Sequence, residues 1–237
     1  MKSLARPLPA RPAGGNSVGP KVYPPLGASF LNFLLIKFIL FGSIGIIMEN
    51  LIGKQVPDFA LEAYLPEGDK TKTIRLADYK DKWTVLVFYP ADFSFVCPTE
   101  LEELANCYKD FKKLGAEVMS VSTDTVFTHK AWHDKSPAIK KIKFPMVADP
   151  TGRLCRALGT YIEEEGLSLR GSFIVDPGGK IRAYEIHDNS IGRSASELLR
   201  KLQAAKFVSE HKGQVCPASW TPGKKTLKPG MNLVGKI

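Results

Sequence analysis

The stretch "WTVLVFYPADFSFVCPTELEEL", residues 83–104, joins an apolar run to a helical pattern through a short loop with one cysteine. Residues 83–90 are rich in β-branched and aromatic side chains, which is typical of a buried central strand. After Cys97, apolar residues recur every three or four positions up to Leu114, and Gly115 follows, which predicts an amphipathic helix. Cys97 therefore lies where a strand passes into a helix.

The sequence that follows continues this alternation. Residues 116–124, "AEVMSVSTD", predict a second strand, and residues 126–136, "VFTHKAWHDKS", predict a second helix. Strand, helix, strand and helix in succession indicate an α/β fold with a parallel pair of strands. Residues 172–186 predict two strands joined by a hairpin at Asp-Pro-Gly-Gly, and Ser194 with Glu197 predicts a capping box before a long helix.

The first 47 residues differ from the rest of the chain. They hold five basic residues and no acidic one, and residues 26–47 form a 22-residue apolar stretch interrupted only by Lys37, long enough to span a bilayer. Three interpretations stay open: a membrane anchor, a cleaved targeting segment, or a translated stretch upstream of a true start at Met48. As an anchor, its basic flank would direct the rest of the protein outward.

The remaining residues have the composition of one folded domain with a tail. Residues 48–210 are long enough to bury a hydrophobic core, and residues 211–237 are rich in Pro and Gly, which predicts a tail without regular structure. Five of the nine net positive charges lie in the first 47 residues, and those of the domain are mixed with acidic residues. This pattern argues against nucleic-acid binding.

The four cysteines show neither a Cys-x-x-Cys pair nor zinc-finger spacing. At a helix N-terminus, free N–H groups and the helix dipole would favour the thiolate of Cys97, although a buried, unreactive cysteine is the alternative. Cys107 and Cys155 fall on predicted helices, which favours a packing role. His129 and His133 share one helix face, but no third ligand is evident, so a packed or solvated pair is favoured over a metal site.

The motif around Cys97 resembles the peroxidatic motif of the peroxiredoxins. "FYPADFSFVCPTE" contains Pro90, Ser94 and Cys97 in a Pro-x-x-x-Ser/Thr-x-x-Cys pattern. Three further blocks are similar to the typical two-cysteine class: "LRGSFIVDPGGKIR", "GRSASELLRKLQA" and "GQVCPASWTPGKKTLKP". The "FTHKAWH" block and the closing "LKPGMNLVGKI" most resemble the bacterial alkyl hydroperoxide reductase C component.

This resemblance implies a thioredoxin-like fold, with a central mixed sheet flanked by helices and an irregular C-terminal tail. It also implies a thiol-dependent peroxidase that reduces hydrogen peroxide and organic hydroperoxides without a metal or other cofactor. Cys97 would be the nucleophile and form a sulfenic acid. Cys216 of the partner subunit would resolve it as an intersubunit disulfide.

The remaining site residues are also implied by the resemblance. Ser94 would hydrogen-bond the peroxide, Arg170 would favour the thiolate and polarise the substrate, and Pro90 would shield the pocket. Glu100 and Arg193 would form the pair that orients this cluster. Many relatives have Thr at the position of Ser94, and Ser lacks the methyl group that restricts the rotamer.

The resemblance implies a homodimer that assembles into a decamer, with thioredoxin or a flavoprotein disulfide reductase as electron donor. We expect a cytoplasmic protein, or a membrane-anchored or organelle-targeted one if residues 26–47 are retained. Two alternative functions are a ring-forming holdase chaperone and a general thiol-disulfide oxidoreductase. The second is disfavoured because that chemistry normally uses two cysteines close together in sequence.

Overall fold

The computed structural model describes residues 50–237, which are organised around a seven-stranded mixed sheet and a separate two-stranded hairpin. The strands are β1 (Ala60–Leu65), β2 (Lys70–Arg75), β3 (Trp83–Phe88), β4 (Ala116–Ser122), β5 (Met146–Ala148), β6 (Tyr161–Ile162), β7 (Leu167–Ser168), β8 (Arg170–Val175) and β9 (Ile181–His187). The α-helices are α1 (Cys97–Lys113), α2 (Val126–Lys135), α3 (Arg153–Ala157) and α4 (Ala195–Glu210). The large sheet has the order β2-β1-β5-β4-β3-β8-β9, and β6 pairs with β7.

Strand β3 lies inside the sheet, and all six of its residues are buried. It pairs in parallel with β4 and antiparallel with β8. The predicted crossover unit and the predicted hairpin, β8 to β9, are therefore both confirmed. The two strands of the crossover end earlier than predicted, at Phe88 and Ser122. Pro90 lacks the N–H group that a ladder needs, which accounts for the early end of β3.

Alternate residues of β3 face two separate apolar layers. Val85 and Val87 belong to a core that includes Leu101, Leu104 and Phe111 of α1 together with residues of α2 and α4. Leu86 and Phe88 point to the other layer, which includes residues of α3 and residues 56 and 59, which precede β1. The central sheet with helices on both sides agrees with the predicted thioredoxin-like class.

Helix α1 begins at Cys97, as predicted, and Gly115 follows its end with a φ of +69°. Helix α4 is capped by Ser194, whose hydroxyl accepts a hydrogen bond from the N–H of Glu197. The carboxylate of Glu197 pairs with Arg200, so the acidic half of the predicted capping box serves a different contact. One of the two capping interactions was therefore predicted correctly.

The C-terminal segment, residues 211–237, contains turns, one short 3₁₀ helix and a single bridge between Val215 and Leu227. Its anchor is Trp220, which is buried, packs on Phe207 of α4 and donates from Nε1 to the carbonyl of Lys224. The apolar stretch 26–47 lies outside the described residues. Among residues 50–237, no helix has the length and apolar character needed to cross a bilayer.

Two glycines next to arginines give a matched test of how tightly β8 is packed. A Cβ at Gly171, which follows Arg170, would lie 2.7 Å from Cγ2 of Thr160 and 2.9 Å from Cε2 of Phe173. A Cβ at Gly192, which precedes Arg193, would meet its nearest atom at 3.4 Å, an ordinary contact. We expect Gly171→Ala to lower the free energy of unfolding in urea by about 1–3 kcal/mol. Gly192→Ala should change it by less than about 0.5 kcal/mol; equal effects would contradict the packing argument.

Candidate active site

Cys97 is the first residue of α1, at the end of the loop that leaves the central strand β3. Pro98 follows in the first turn, where its missing N–H group costs nothing. The side chain of Cys97 has no exposed surface. The thiol therefore sits at the helix N-terminus that the sequence predicted, and it lies out of bulk water.

The carboxylate of Glu100, one turn into α1, binds two arginines from distant parts of the chain. Nη1 of Arg170 donates to Oε2 at 2.6 Å, and Nε of Arg193 donates to Oε1 at 2.9 Å. The main-chain N–H of Arg193 also donates to Oε1, at 2.7 Å. All three side chains are buried. They form one hydrogen-bonded cluster, named here the Glu100 cluster: Glu100, Arg170 and Arg193.

The Glu100 cluster reaches the thiol through Arg170. Its Nη1 lies 3.4 Å from Sγ of Cys97, within hydrogen-bonding distance of a sulfur atom. Nε and Nη2 of the same guanidinium donate to the carbonyl of Asn189 at 3.0 and 2.8 Å. Because three nitrogens of Arg170 are engaged, the guanidinium plane is fixed relative to the sulfur atom.

Arg193 is held equally firmly on its outer side. Its Nη1 donates to the carbonyl of Gly171 at 2.6 Å and to Oγ of Ser172 at 3.1 Å. Both acceptors lie on β8, the strand that begins with Arg170. The two arginines are thus tied to the same strand as well as to the same carboxylate.

The charge balance of the cluster explains the state of Glu100. Burial alone would raise the pKa of its carboxyl, but the hydrogen bonds and charge of Arg193, together with the charge of Arg170, hold that pKa below its usual value. Glu100 is therefore an anion at neutral pH. Two guanidiniums and one carboxylate leave the cluster with one net positive charge, and Arg170 places it beside the sulfur atom.

Ser94 and Pro90 lie in the loop between β3 and α1. Oγ of Ser94 donates to the carbonyl of Ala91 at 2.8 Å, which leaves its lone pairs available to accept a hydrogen bond. Pro90 is buried and follows the strand by two residues. Both residues lie on the segment that joins β3 to Cys97.

Cys216 lies elsewhere, in the C-terminal segment. It is half-buried in a groove lined by Arg182 of β9 and by Arg200 and Lys201 of α4. Burial raises the pKa of its thiol, against the opposing charge of Arg200. Cys97 and Cys216 are both free thiols.

Two family models match this chain and together cover both thiols. The model of the AhpC/TSA family matches residues 52–184, and that of the C-terminal domain of 1-Cys peroxiredoxin matches residues 204–231. The chain belongs to the AhpC/TSA family of peroxiredoxins. The resemblance deduced from the motif is therefore confirmed, as is the fold class.

Relatives with known names are similar over all or nearly all of their length. Alkyl hydroperoxide reductase C of Staphylococcus epidermidis is 50% identical over 188 residues, which is 79% of this chain and 100% of the relative. The crystal structure of Enterococcus faecalis AhpC is 48% identical with a TM-score of 0.69, covering 71% of this chain and 100% of that one. The crystal structure of a reduced 2-Cys peroxiredoxin of Plasmodium vivax is 30% identical in sequence, with a TM-score of 0.74. The match covers 78% of this chain and 96% of that one.

The other two cysteines of this peroxiredoxin have packing roles, as predicted. Cys155 on α3 is fully buried, and its burial, with the nearby charge of Asp149, raises the pKa of the thiol to about 12. Cys107 on α1 packs against the core, and its pKa is raised by burial and by the charges of Glu103 and Asp110. Raised pKa values make both thiols poor nucleophiles at neutral pH.

The two histidines of α2 make separate contacts. His129 is fully buried and its Nδ1 lies 2.7 Å from a carboxylate oxygen of Asp92. Nε2 of His133 lies 3.3 Å from the carbonyl of Ile142. Within residues 50–237, no group of three or more His, Cys, Asp or Glu side chains is arranged to hold a metal ion. His129 is therefore packed in the interior rather than solvated.

Sequence reasoning missed the main-chain acceptors of the site. The carbonyls of Asn189 and Gly171 fix Arg170 and Arg193, respectively, yet a carbonyl acceptor leaves no trace in residue type. Asp92 was missed as well. Its position inside the motif, two residues after Pro90, was the available signal.

Replacing Glu100 tests the charge balance through stability. A carboxyl whose pKa is lowered by folding contributes stability that is complete above the unfolded pKa, about 4.3, and is lost as pH falls through the folded pKa. We expect Glu100→Gln to cost about 3 kcal/mol in urea unfolding at pH 7, because two buried guanidiniums lose their anion. The difference from wild type should shrink as the pH falls below about 4.

The control for this prediction is Glu102→Gln on the same helix. Glu102 forms a surface ion pair with Lys141, so its replacement should cost less than about 1 kcal/mol at either pH. If Glu100→Gln were no more harmful than Glu102→Gln at pH 7, the cluster would not carry the stability that its geometry indicates.

Proposed function

We propose that this chain reduces hydrogen peroxide and organic hydroperoxides, with Cys97 as the nucleophile. The observation that carries the proposal is the contact of Arg170 with both the Cys97 sulfur atom and the Glu100 carboxylate. A cation anchored in this way favours the thiolate before a peroxide binds. It also supplies hydrogen-bond donors where charge develops in the transition state.

The first step breaks the O–O bond. The Cys97 thiolate attacks one peroxide oxygen, a new S–O bond forms, and the O–O electron pair leaves with the second oxygen as an alkoxide or hydroxide. That oxygen takes up a proton from solvent and departs as alcohol or water. The sulfur atom has been oxidised to a sulfenic acid and the peroxide reduced by two electrons. Ser94 accepts a hydrogen bond from the bound peroxide, and Pro90 keeps bulk water from the reacting atoms.

The second step resolves the sulfenic acid. We assign it to Cys216 of the partner subunit, whose thiolate attacks the Cys97 sulfur atom. The S–O bond breaks as the disulfide forms, and the departing hydroxide takes up a proton and leaves as water. Because Cys97 has no exposed surface, the first turn of α1 must open before another protein thiol reaches it. A symmetric dimer forms two such bridges at once.

The third step returns both thiols. A dithiol donor, either thioredoxin or a flavoprotein disulfide reductase, exchanges with the intersubunit disulfide and carries away its oxidising equivalents. A disulfide that must be reduced in each cycle favours a reducing compartment. We therefore propose that the protein works in the cytoplasm.

Cysteine variants test this cycle directly. Cys97→Ser should abolish peroxide consumption, because a serine hydroxyl is not ionised at neutral pH and no sulfenic acid forms. Cys216→Ser should retain one rapid turnover per chain and then stop, and it should form no covalent dimer on a non-reducing gel. Peroxide consumption is measured with and without an added dithiol donor.

Cys107→Ser is the matched control, since Cys107 is a half-buried packing residue on the same helix as Cys97. It should consume peroxide like the wild-type protein. Full activity in Cys97→Ser, or loss of activity in Cys107→Ser alone, would contradict the assignment of the nucleophile.

We further propose that the dimers associate through an exposed aromatic surface beside the active-site loop. It consists of Phe93 and Phe95 on the loop and Phe127 at the start of α2, which are 55%, 93% and 80% exposed. The loop and α2 are in contact, because the Phe93 ring packs on Trp132. Exposed aromatic side chains of this kind mark protein interfaces.

Phe127→Glu tests the association, because a charge in an apolar interface disfavours it. Sedimentation of the reduced protein should give a mass near ten chains for wild type and near two for Phe127→Glu. The control is Met231→Glu, a residue that is equally exposed but lies in the C-terminal segment. It should sediment like wild type; an unchanged mass for Phe127→Glu would exclude this surface as the contact.

A further inference from the structure

Three buried polar side chains form a hydrogen-bonded chain behind the loop that carries Ser94. The hydroxyl of Tyr89 donates to Oδ1 of Asp92 at 2.7 Å, and Oδ2 of Asp92 lies 2.7 Å from Nδ1 of His129. Tyr89 and His129 are fully buried, and Asp92 is 7% exposed. Neither the Cys97 thiol nor the Glu100 cluster takes part in these two hydrogen bonds. The proposed cycle therefore gives Tyr89, Asp92 and His129 no role.

The hydrogen-bonded chain fixes a strained part of the loop. The main-chain N–H of Asp92 donates to the carboxylate of Asp124 at 2.9 Å. The next residue, Phe93, has a φ of +55°, a conformation that is costly for a residue with a large side chain. Its ring packs on Trp132, which lies three residues after His129 on the same helix. Helix α2 therefore holds the loop by one polar and one aromatic contact.

The same anchor reaches Ser94 through the backbone. The Ser94 hydroxyl donates to the carbonyl of Ala91, and that carbonyl group is bonded directly to the nitrogen atom of Asp92. A displacement of Asp92 would therefore move the acceptor that orients the Ser94 hydroxyl. His129 lies 37 residues from Asp92 in sequence, and it is the contact that links the loop to α2 through a carboxylate.

The ring of His129 has one possible hydrogen-bonding arrangement that fits its surroundings. Nε2 is buried and has no hydrogen-bond partner among residues 50–237. An N–H group at that position would be a buried donor without an acceptor among those residues. We therefore place a ring proton on Nδ1, which donates to Oδ2 of Asp92.

We propose that His129 is a positioning residue for the peroxide reaction: through Asp92 it holds the Ala91 carbonyl that orients Ser94. The inference rests on the proposed function of Cys97 and Ser94. It makes the Nδ1 donor, rather than the size of the ring, the property that the reaction needs.

Three variants of His129 separate the donor from the volume. In His129→Asn the amide nitrogen takes the place of Nδ1. In His129→Gln it lies further out on the side chain, near the position of Nε2. His129→Leu has no side-chain donor. We expect the second-order rate constant for oxidation of Cys97 by hydrogen peroxide, measured by stopped flow, to fall about tenfold in the Leu and Gln variants. The Asn variant should stay within about threefold of wild type.

Thiolate formation by Cys97 is a second readout. A general structural defect would disturb it, whereas loss of the His129 contact alone should not. Arg170, which contacts the Cys97 sulfur atom, and Glu100, which binds Arg170, make no hydrogen bond with His129 among those of residues 50–237. The ionisation of Cys97, followed by the absorbance of the thiolate in a Cys216→Ser background, should therefore be the same in the Leu variant and in its parent.

A double-mutant cycle with Ser94→Ala tests the proposed route. If His129 acts through Ser94, His129→Leu should slow the Ser94→Ala protein much less than it slows wild type. Should the Leu variant fail to fold, Tyr89→Phe takes its place in the cycle. This variant removes the other side-chain donor to Asp92 and keeps the ring. It should slow oxidation of Cys97 in wild type much more than in the Ser94→Ala protein. Additive effects in either cycle would overturn the inference.

Two other outcomes overturn it. One is a wild-type rate in a folded His129→Leu protein, and the other is an Asn variant as slow as the Leu variant. In both cases reactive wild-type Cys97 leaves the proposed function intact. An unreactive Cys97 in the wild-type protein would overturn the proposed function and this inference together.

Discussion

The buried carboxylate of Glu100 is the constraint on which the rest of the site depends. It holds two guanidiniums in the protein interior, and Arg170 and Arg193 come from segments 70 and 93 residues away. Without the anion, two buried like charges would repel each other and each would lack a counter-ion. With it, the cluster keeps one net positive charge, and Arg170 holds a donor 3.4 Å from the Cys97 sulfur atom. The same carboxylate therefore satisfies the buried arginines and fixes the surroundings of the thiol.

The sheet topology explains why these residues can meet. Strand β8 runs antiparallel to β3, with Ser172 opposite Val87, so the start of β8 lies beside the end of β3. Arg170, the first residue of β8, therefore reaches the loop that leads to Cys97. A parallel β8 would place its first residue at the far end of the sheet. The antiparallel direction of β8 is thus what brings Arg170 to Cys97.

Much of this structure could be predicted from local sequence, and the reason is physical. The apolar run of β3, the spacing of α1 and the Asp-Pro-Gly-Gly turn each depend on neighbours in the chain, so their patterns are visible. The Glu100 cluster was found through family resemblance, since nothing in residue spacing pairs Glu100 with Arg193. The carbonyl of Asn189 and the bond between Asp92 and His129 were not predicted, because they arise only when distant segments pack.

In the cycle proposed above, the start of α1 meets two opposing demands. A rigid first turn holds the thiol against Arg170, whereas the proposed resolution by a second subunit needs that turn to open. The sequence at the helix start suits the second demand: the N-cap residue is Val96, which has no side chain able to accept a hydrogen bond, whereas Thr125 and Ser194 cap α2 and α4. A polar cap stabilises a helix end by about 1 kcal/mol, and α1 lacks that contribution. Glu100 lies one turn further along and binds both arginines, so an opening confined to the first turn would leave these ion pairs intact.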